Sequence, residues 1–194
     1  MNKFLKLVAL LFISNIAFSQ DKNCDYEVNE SKNDTTYTII TKERVVDEMI
    51  FGNTTSALTF KLFSVNGQFG LFFQYLQKSK DLITPSCIDK DTKMYLDLSS
   101  GKQVKLINSQ DIEVCNEILY DEVNKNNIRI LDGYFYFTPE NFDLLKTEKV
   151  YLIKITASTG DINFVIKPQL ESEIFKTKTT PDTYFMDTIK CFGF

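Results

Sequence analysis

Residues 57–76 read ALTFKLFSVNGQFGLFFQYL. Asn66-Gly67 at the centre is a pair that a two-residue hairpin turn prefers, because both turn positions need positive φ. The arms 57–65 and 68–76 therefore read as paired antiparallel strands. Side chains alternate between the two faces of a strand. In the first arm Leu58, Phe60, Leu62 and Ser64 alternate with Thr59, Lys61 and Phe63. In the second, Phe69, Leu71, Phe73 and Tyr75 fall on one face, with Phe72 and Leu76 on the other. A strand apolar on both faces is expected to be covered on both.

The same signals recur on either side. Thr36–Thr41 is rich in β-branched and aromatic residues. Met94–Leu98 and Gln103–Ile107 flank the turn Ser99-Ser100-Gly101-Lys102. Residues 128–137 form a long strand interrupted at Asp132-Gly133, which reads as a bulge or a tight turn. Val150–Thr156 and Ile162–Lys167 are joined through Gly160-Asp161. Residues 21–34 are polar and read as irregular. Two helical regions are expected. Thr138-Pro139-Glu140 has an N-cap threonine, a proline at the first helical position and an acid in the first turn. That predicts a short helix near 139–147, with Phe142 and Leu145 on its apolar side. In 168–178, Leu170 and Ile174 share a helical face, with acids early and lysines late. Thr180-Pro181-Asp182 repeats the helix-start pattern, so C-terminal helices are expected near 168–191. Eight strand candidates joined by short turns predict a β-rich α+β protein, mainly antiparallel sheet or β-sandwich.

The chain's first residues carry a different message. Lys3 and Lys6 precede the apolar run Leu7–Ile13, and the small residues Ala17 and Ser19 precede Gln20. This is the pattern of a cleavable secretory signal. The run is shorter than the roughly 20 residues a membrane helix needs. Residues 1–19 are thus read as a signal peptide and 20–194 as one exported β-rich domain. Lipid anchoring is disfavoured, because the first cysteine, Cys24, follows a polar stretch. The full chain has 22 basic and 26 acidic residues. Two of the basic ones lie in the signal, which leaves a net charge of −6 on the mature part. No basic stripe is present, so nucleic acid is a poor partner, and no second long apolar run predicts a membrane span.

Cys24, Cys87, Cys115 and Cys191 are an even set in an exported chain, which predicts two disulfides. Four cysteines allow three connectivities. The favoured pairing is Cys87–Cys115, bracketing the hairpin 88–114, with Cys24–Cys191 tying the chain ends. Closing the 87–115 loop stabilises by about 3.6 kcal/mol in the chain-entropy model.

The chain has no histidine. That removes Ser–His–Asp and Cys–His nucleophilic sites and histidine metal centres. No phosphate-binding glycine loop, dinucleotide fingerprint or nucleophile elbow is present. No catalytic, cofactor-binding or metal-binding residue is assigned, and no cofactor is expected. Asp89 and Asp91, with Asp97 further on, lack the spacing and glycine of a calcium loop and read as a solvated turn. Carboxylates alone suffice for a glycosidase, but no pair stands out. Seventeen phenylalanines and nine tyrosines, with no tryptophan, cluster at Phe69–Tyr75 and Tyr134–Phe137. Phe72 and Tyr75 are the candidate binding patch. The expected function is a non-catalytic binding or structural domain of the cell envelope, with an envelope protein or a glycan as partner. The alternative is a carbohydrate-binding or carbohydrate-hydrolysing protein that uses aromatics and carboxylates.

The Ala-Phe-Ser site before Gln20, the Asn/Lys/Ile-rich composition, the stretch Cys24-Asp25-Tyr26-Glu27-Val28-Asn29-Glu30 and the terminal Cys191 together resemble the small exported proteins of Bacteroidetes, of the flavobacterial type. The resemblance implies a periplasmic or secreted location and no catalytic residues. It also implies O-glycosylation at Asp-Ser/Thr followed by an apolar residue or threonine. Asp34-Thr35-Thr36 and Asp187-Thr188-Ile189 fit that pattern.

Overall fold

The computed structural model describes residues 24–33 and 36–193. The expected signal peptide, the start at Gln20 and Asp34-Thr35 of the first glycosylation motif lie outside the described residues. Within them the chain is mostly antiparallel sheet. Its strands are β1 (Tyr26–Asn33), β2 (Thr36–Thr41), β3 (Arg44–Phe51), β4 (Thr54–Val65), β5 (Gln68–Ser79), β6 (Cys87–Ile88), β7 (Lys93–Leu98), β8 (Gln103–Asn108), β9 (Val114–Cys115), β10 (Ile118–Asp121), β11 (Asn126–Phe137), β12 (Val150–Ala157), β13 (Gly160–Val165), β14 (Leu170–Glu171) and β15 (Lys178–Thr179). One short α-helix, α1 (Tyr184–Ile189), lies near the C-terminus between 3-10 turns at Pro181–Thr183 and Lys190–Phe192.

The Asn66-Gly67 hairpin is the spine of the sheet. Both residues have positive φ, 49° and 86°. Their arms pair without interruption from Thr54 opposite Ser79 to Val65 opposite Gln68. The main sheet runs β1-β2-β4-β5-β11-β8-β7-β12-β13, with β3 beside β4 and β10 beside β11. The sheet curls until its far edge comes back over its middle, so that Phe164 on β13 meets Tyr75 on β5 at 5.0 Å between ring centroids. Leu58, Phe60, Leu62, Leu71 and Phe73 from one half face Met94, Leu96, Leu98 and Leu106 from the other, all fully buried. The C-terminal segment packs onto the same inner face. Tyr184 and Phe185 sit against Phe60, at 5.8 and 6.0 Å, and Phe192 against Phe69.

Several local expectations change. Residues 26–33 form a strand rather than an irregular stretch, because pairing with β2 satisfies their backbone. β3 carries no clean alternation, since a register shift between Val45 and Asp47 buries both Val45 and Val46. Asp132-Gly133 is neither bulge nor turn, as β11 pairs with β5 in unbroken register through both residues. Gly133 is there for space: a Cβ would stand 2.6 Å from Ile88 Cδ1 and 3.1 Å from Phe73 Cε1. The expected helix near 139–147 contracts to a 3-10 turn at Phe142–Lys146, with Asn141 rather than Thr138 at its start. Thr138 instead donates its hydroxyl to the Lys105 carbonyl. Residues 168–178 are not helical. They form the small β14–β15 hairpin, and only the stretch from Pro181 to Phe192 turns helically.

Candidate functional site: an outward aromatic face and a charged cleft

Strand alternation divides the aromatic residues of the central hairpin. Phe73 and Tyr75 are each one position from Phe72 and Leu76 respectively, so the two pairs fall on opposite faces of β5. Tyr75 points inward, opposite Leu58 and Leu131. Burial pushes its phenol pKa up, and the nearby Asp47 carboxylate adds to this against hydrogen bonds with Ser56 and Gln77. Phe72 points outward, opposite Lys61 and Tyr134. The structure therefore does not bring the candidate pair Phe72 and Tyr75 into one patch.

Phe72 belongs to a different group. Its ring lies 4.9 Å from that of Tyr134. Phe63 packs edge-on against Tyr134 and Tyr136, at 5.8 and 5.9 Å. The four residues are brought together by register. Phe63 is opposite Gly70, and Gly70 is opposite Tyr136. A Cβ at residue 70 would stand 2.8 Å from the Phe135 carbonyl oxygen and from Phe63 Cε1, so glycine is what lets the Phe63 ring cross β5. Ile107 extends the row on β8, opposite Tyr136. Tyr134 is 49% exposed and Ile107 43%, so this outward face is only partly covered, contrary to the expectation of cover on both faces. Lys61 borders it and is held by Glu27 at 2.6 Å.

The second feature is a cleft of about 830 Å³ where β2 hands over to β3 along the edge of β4. Its walls include Asp25, Lys42, Glu43, Arg44, Phe175, Lys178 and Tyr184. The β14–β15 hairpin forms one side and α1 another. Long-range contacts fix both. The buried Glu48 carboxylate accepts from the Ser172 hydroxyl and from the amides of Glu173 and Ile174, the latter two at 2.7 and 3.3 Å. Thr179 donates to the Val45 carbonyl. The Tyr26 hydroxyl donates to the Cys191 carbonyl at 2.8 Å, next to the Cys24–Cys191 disulfide. Tyr184 stands in the wall with its hydroxyl turned into the protein, near Thr41 and the Leu62 backbone. Burial raises its phenol pKa well beyond the ordinary value.

No family model, curated protein or solved structure matches this chain.

The four cysteines form two disulfides, Cys24–Cys191 and Cys87–Cys115. Cys87 and Cys115 face each other across the two-stranded β6–β9 ladder. Glu113 lies close to both sulfurs, but disulfide sulfur is not a thiolate ligand. Asp89 is absorbed into its turn. Its Oδ1 accepts from the amides of Asp91 and Thr92 and from the Thr92 hydroxyl. Desolvation opposes ionisation of this carboxyl most strongly, but those hydrogen bonds together outweigh it and hold the pKa below the usual value. Asp97 accepts instead from Gln103 on the neighbouring strand. Thr188, in the second glycosylation motif, is buried and donates to the Tyr184 carbonyl at 2.6 Å. A glycan on that oxygen has no room in this fold. Among the described residues no helix is long and apolar enough to cross a membrane.

The outward face was partly visible in the sequence, as the two aromatic clusters. The cleft was not. Its walls come from residues 25–59 and 169–187, and no local motif links them.

Proposed function

We propose that this chain is an exported, non-catalytic binding or structural domain of the cell envelope, and that the outward aromatic face is its contact surface. The observation that carries the reading is the packing of Phe63, Phe72, Tyr134 and Tyr136 into one group with Tyr134 and Ile107 half-exposed. Partly exposed aromatic groups on a folded domain mark contact surfaces, because ring burial on binding releases much apolar area. The leader-like N-terminus and the two disulfides support an oxidising compartment, periplasmic or extracellular. The resemblance to flavobacterial exported proteins supports the same location.

The test is co-sedimentation of the purified mature chain with flavobacterial envelope preparations, with Tyr134→Ser/Ile107→Ser as the comparison. The native chain is expected to be retained, and the double variant to be lost at unchanged melting temperature. Equal retention of both would remove this face from the proposal.

The carbohydrate reading is supported by a different observation. The cleft places the 40% exposed ring of Phe175 among Asp25, Glu43, Glu171 and Asp187. A ring with nearby carboxylates suits a sugar, whose C–H face stacks on the ring while its hydroxyls donate to the acids.

A further inference from the structure

We infer that the cleft binds an acidic sugar of the uronate class, with Arg44 receiving the sugar carboxylate. This rests on the carbohydrate reading of the cleft.

Most charged groups of the cleft already have partners. Lys42 stands 4.0 Å from Asp25, and Lys178 is 3.1 Å from Glu171. Glu43 accepts from the Thr59 hydroxyl, and Asp187 from the Thr183 hydroxyl at 2.7 Å. Arg44 is the exception. It is half-buried, and among the described residues it makes no ion pair and no hydrogen bond to a side chain through its guanidinium. It is near enough to Tyr184 to favour the ionised form of that phenol, against the burial that opposes it. A partly desolvated guanidinium with its donors unused is costly on its own. A carboxylate meets it with two parallel hydrogen bonds, the geometry its planar fork is built for.

The other walls restrict what the carboxylate is attached to. The charged side chains lining the cleft are three basic and four acidic, Lys42, Arg44 and Lys178 against Asp25, Glu43, Glu171 and Asp187. A net negative lining disfavours phosphate esters and other multiply charged anions, and admits a single carboxylate placed at the arginine. Phe175 offers an apolar surface beside it. Gln169 and Thr177 add neutral donors and acceptors at the rim. A pyranose with one carboxylate and several hydroxyls matches all three requirements. The volume of about 830 Å³ lies within the range of small-molecule sites, roughly 300–1,000 Å³, and accommodates a short saccharide.

The experiment is an NMR titration of the disulfide-intact mature chain with glucuronate, glucose and acetate, repeated for Arg44→Gln and Phe175→Ala. Glucuronate is expected to shift the amides around Arg44, Phe175 and Thr177. Arg44→Gln is expected to weaken that binding tenfold or more, and Phe175→Ala to weaken it severalfold, both at native-like spectra. Should Arg44→Gln unfold the chain, Arg44→Lys keeps the charge and loses the fork, and is expected to weaken binding as well. Glucose binding as well as glucuronate, untouched by Arg44→Gln, would overturn the acidic-sugar inference and leave the carbohydrate reading standing. Acetate matching glucuronate would show an anion site without sugar recognition and overturn it too. No shift with either sugar would overturn both readings.

Discussion

Glu48 on β3 accepts a buried hydrogen bond from the Ser172 hydroxyl, 124 residues further along the chain. The same carboxylate takes the amides of Glu173 and Ile174, and Ser172 Oγ in turn accepts the amide of Phe175 at 2.9 Å. One buried acid thus closes the turn that carries Phe175 into the cleft.

Glu48→Ala should therefore cost about 2–4 kcal/mol, because hydrogen bonds to a charged group are lost and their buried donors are left unpaired. Glu48→Gln keeps an acceptor and should recover part of that loss. Urea denaturation of the three chains measures it. A cost for Glu48→Ala within about 0.5 kcal/mol, the scatter of neutral surface changes, would mean that the turn is held by something else.

Gly70→Ala should destabilise by about 1–3 kcal/mol, the usual range for forcing a methyl into filled space. The clash is with the Phe63 ring and with the Phe135 carbonyl. Adding Phe63→Ala should relieve only the first part, so the two substitutions should couple rather than add. Strict additivity in a double-mutant cycle would contradict the packing of Phe63 over β5.

The mature chain should have the mass of residues 20–194 with two disulfides, and should take up no alkylating reagent under denaturing, non-reducing conditions. Two or more labelled cysteines would refute the pairing. In the chain-entropy model, opening Cys24–Cys191, with a separation of 167 residues, costs about 5 kcal/mol, and opening Cys87–Cys115, with a separation of 28, costs about 3.6 kcal/mol. Cys24→Ser/Cys191→Ser should accordingly lower the melting temperature more than Cys87→Ser/Cys115→Ser.

Burial raises the pKa of Asp47 above its ordinary value. Lys167 and the Glu48 amide oppose the shift, and the Glu48 charge adds to it. The folded state holds this proton more tightly than the unfolded chain does, so the group favours folding most below the unfolded carboxyl pKa. That contribution is lost as the pH rises through the raised folded value. Asp47→Asn should therefore stabilise at neutral pH, by up to about 1 kcal/mol. The gain should shrink as the pH falls into the ordinary carboxylate range. Melting curves of both chains across that range test it, and a gain that grows toward low pH would contradict the assignment.

The central hairpins are legible in the sequence because their signals are local. Asn66-Gly67 supplies the backbone geometry of its own turn, and alternation beside it selects the face on which Leu58, Phe60, Leu71 and Phe73 are buried. β1 is hard to read because it is an edge strand that is exposed or half-exposed from Tyr26 to Lys32, so its residues need no apolar face. β3 is hard to read because the irregularity at Val46 breaks the period of two. Residues 168–178 carry a helical spacing of Leu170 and Ile174, but Glu48 takes the amides of Glu173 and Ile174 for another structure, and the segment closes as a hairpin.

The sequence by itself determined the strand-rich class, the central turn, the even cysteine set and the absence of histidine chemistry. These follow from residue types and from neighbours a few positions apart. Only the tertiary structure decided that Phe72 joins Tyr134 while Tyr75 turns inward to Phe164, and that Arg44 and Phe175 line one cleft. Those relationships depend on strand register and on contacts such as Glu48 with Ser172, made between residues more than a hundred positions apart. No local pattern encodes where such partners meet.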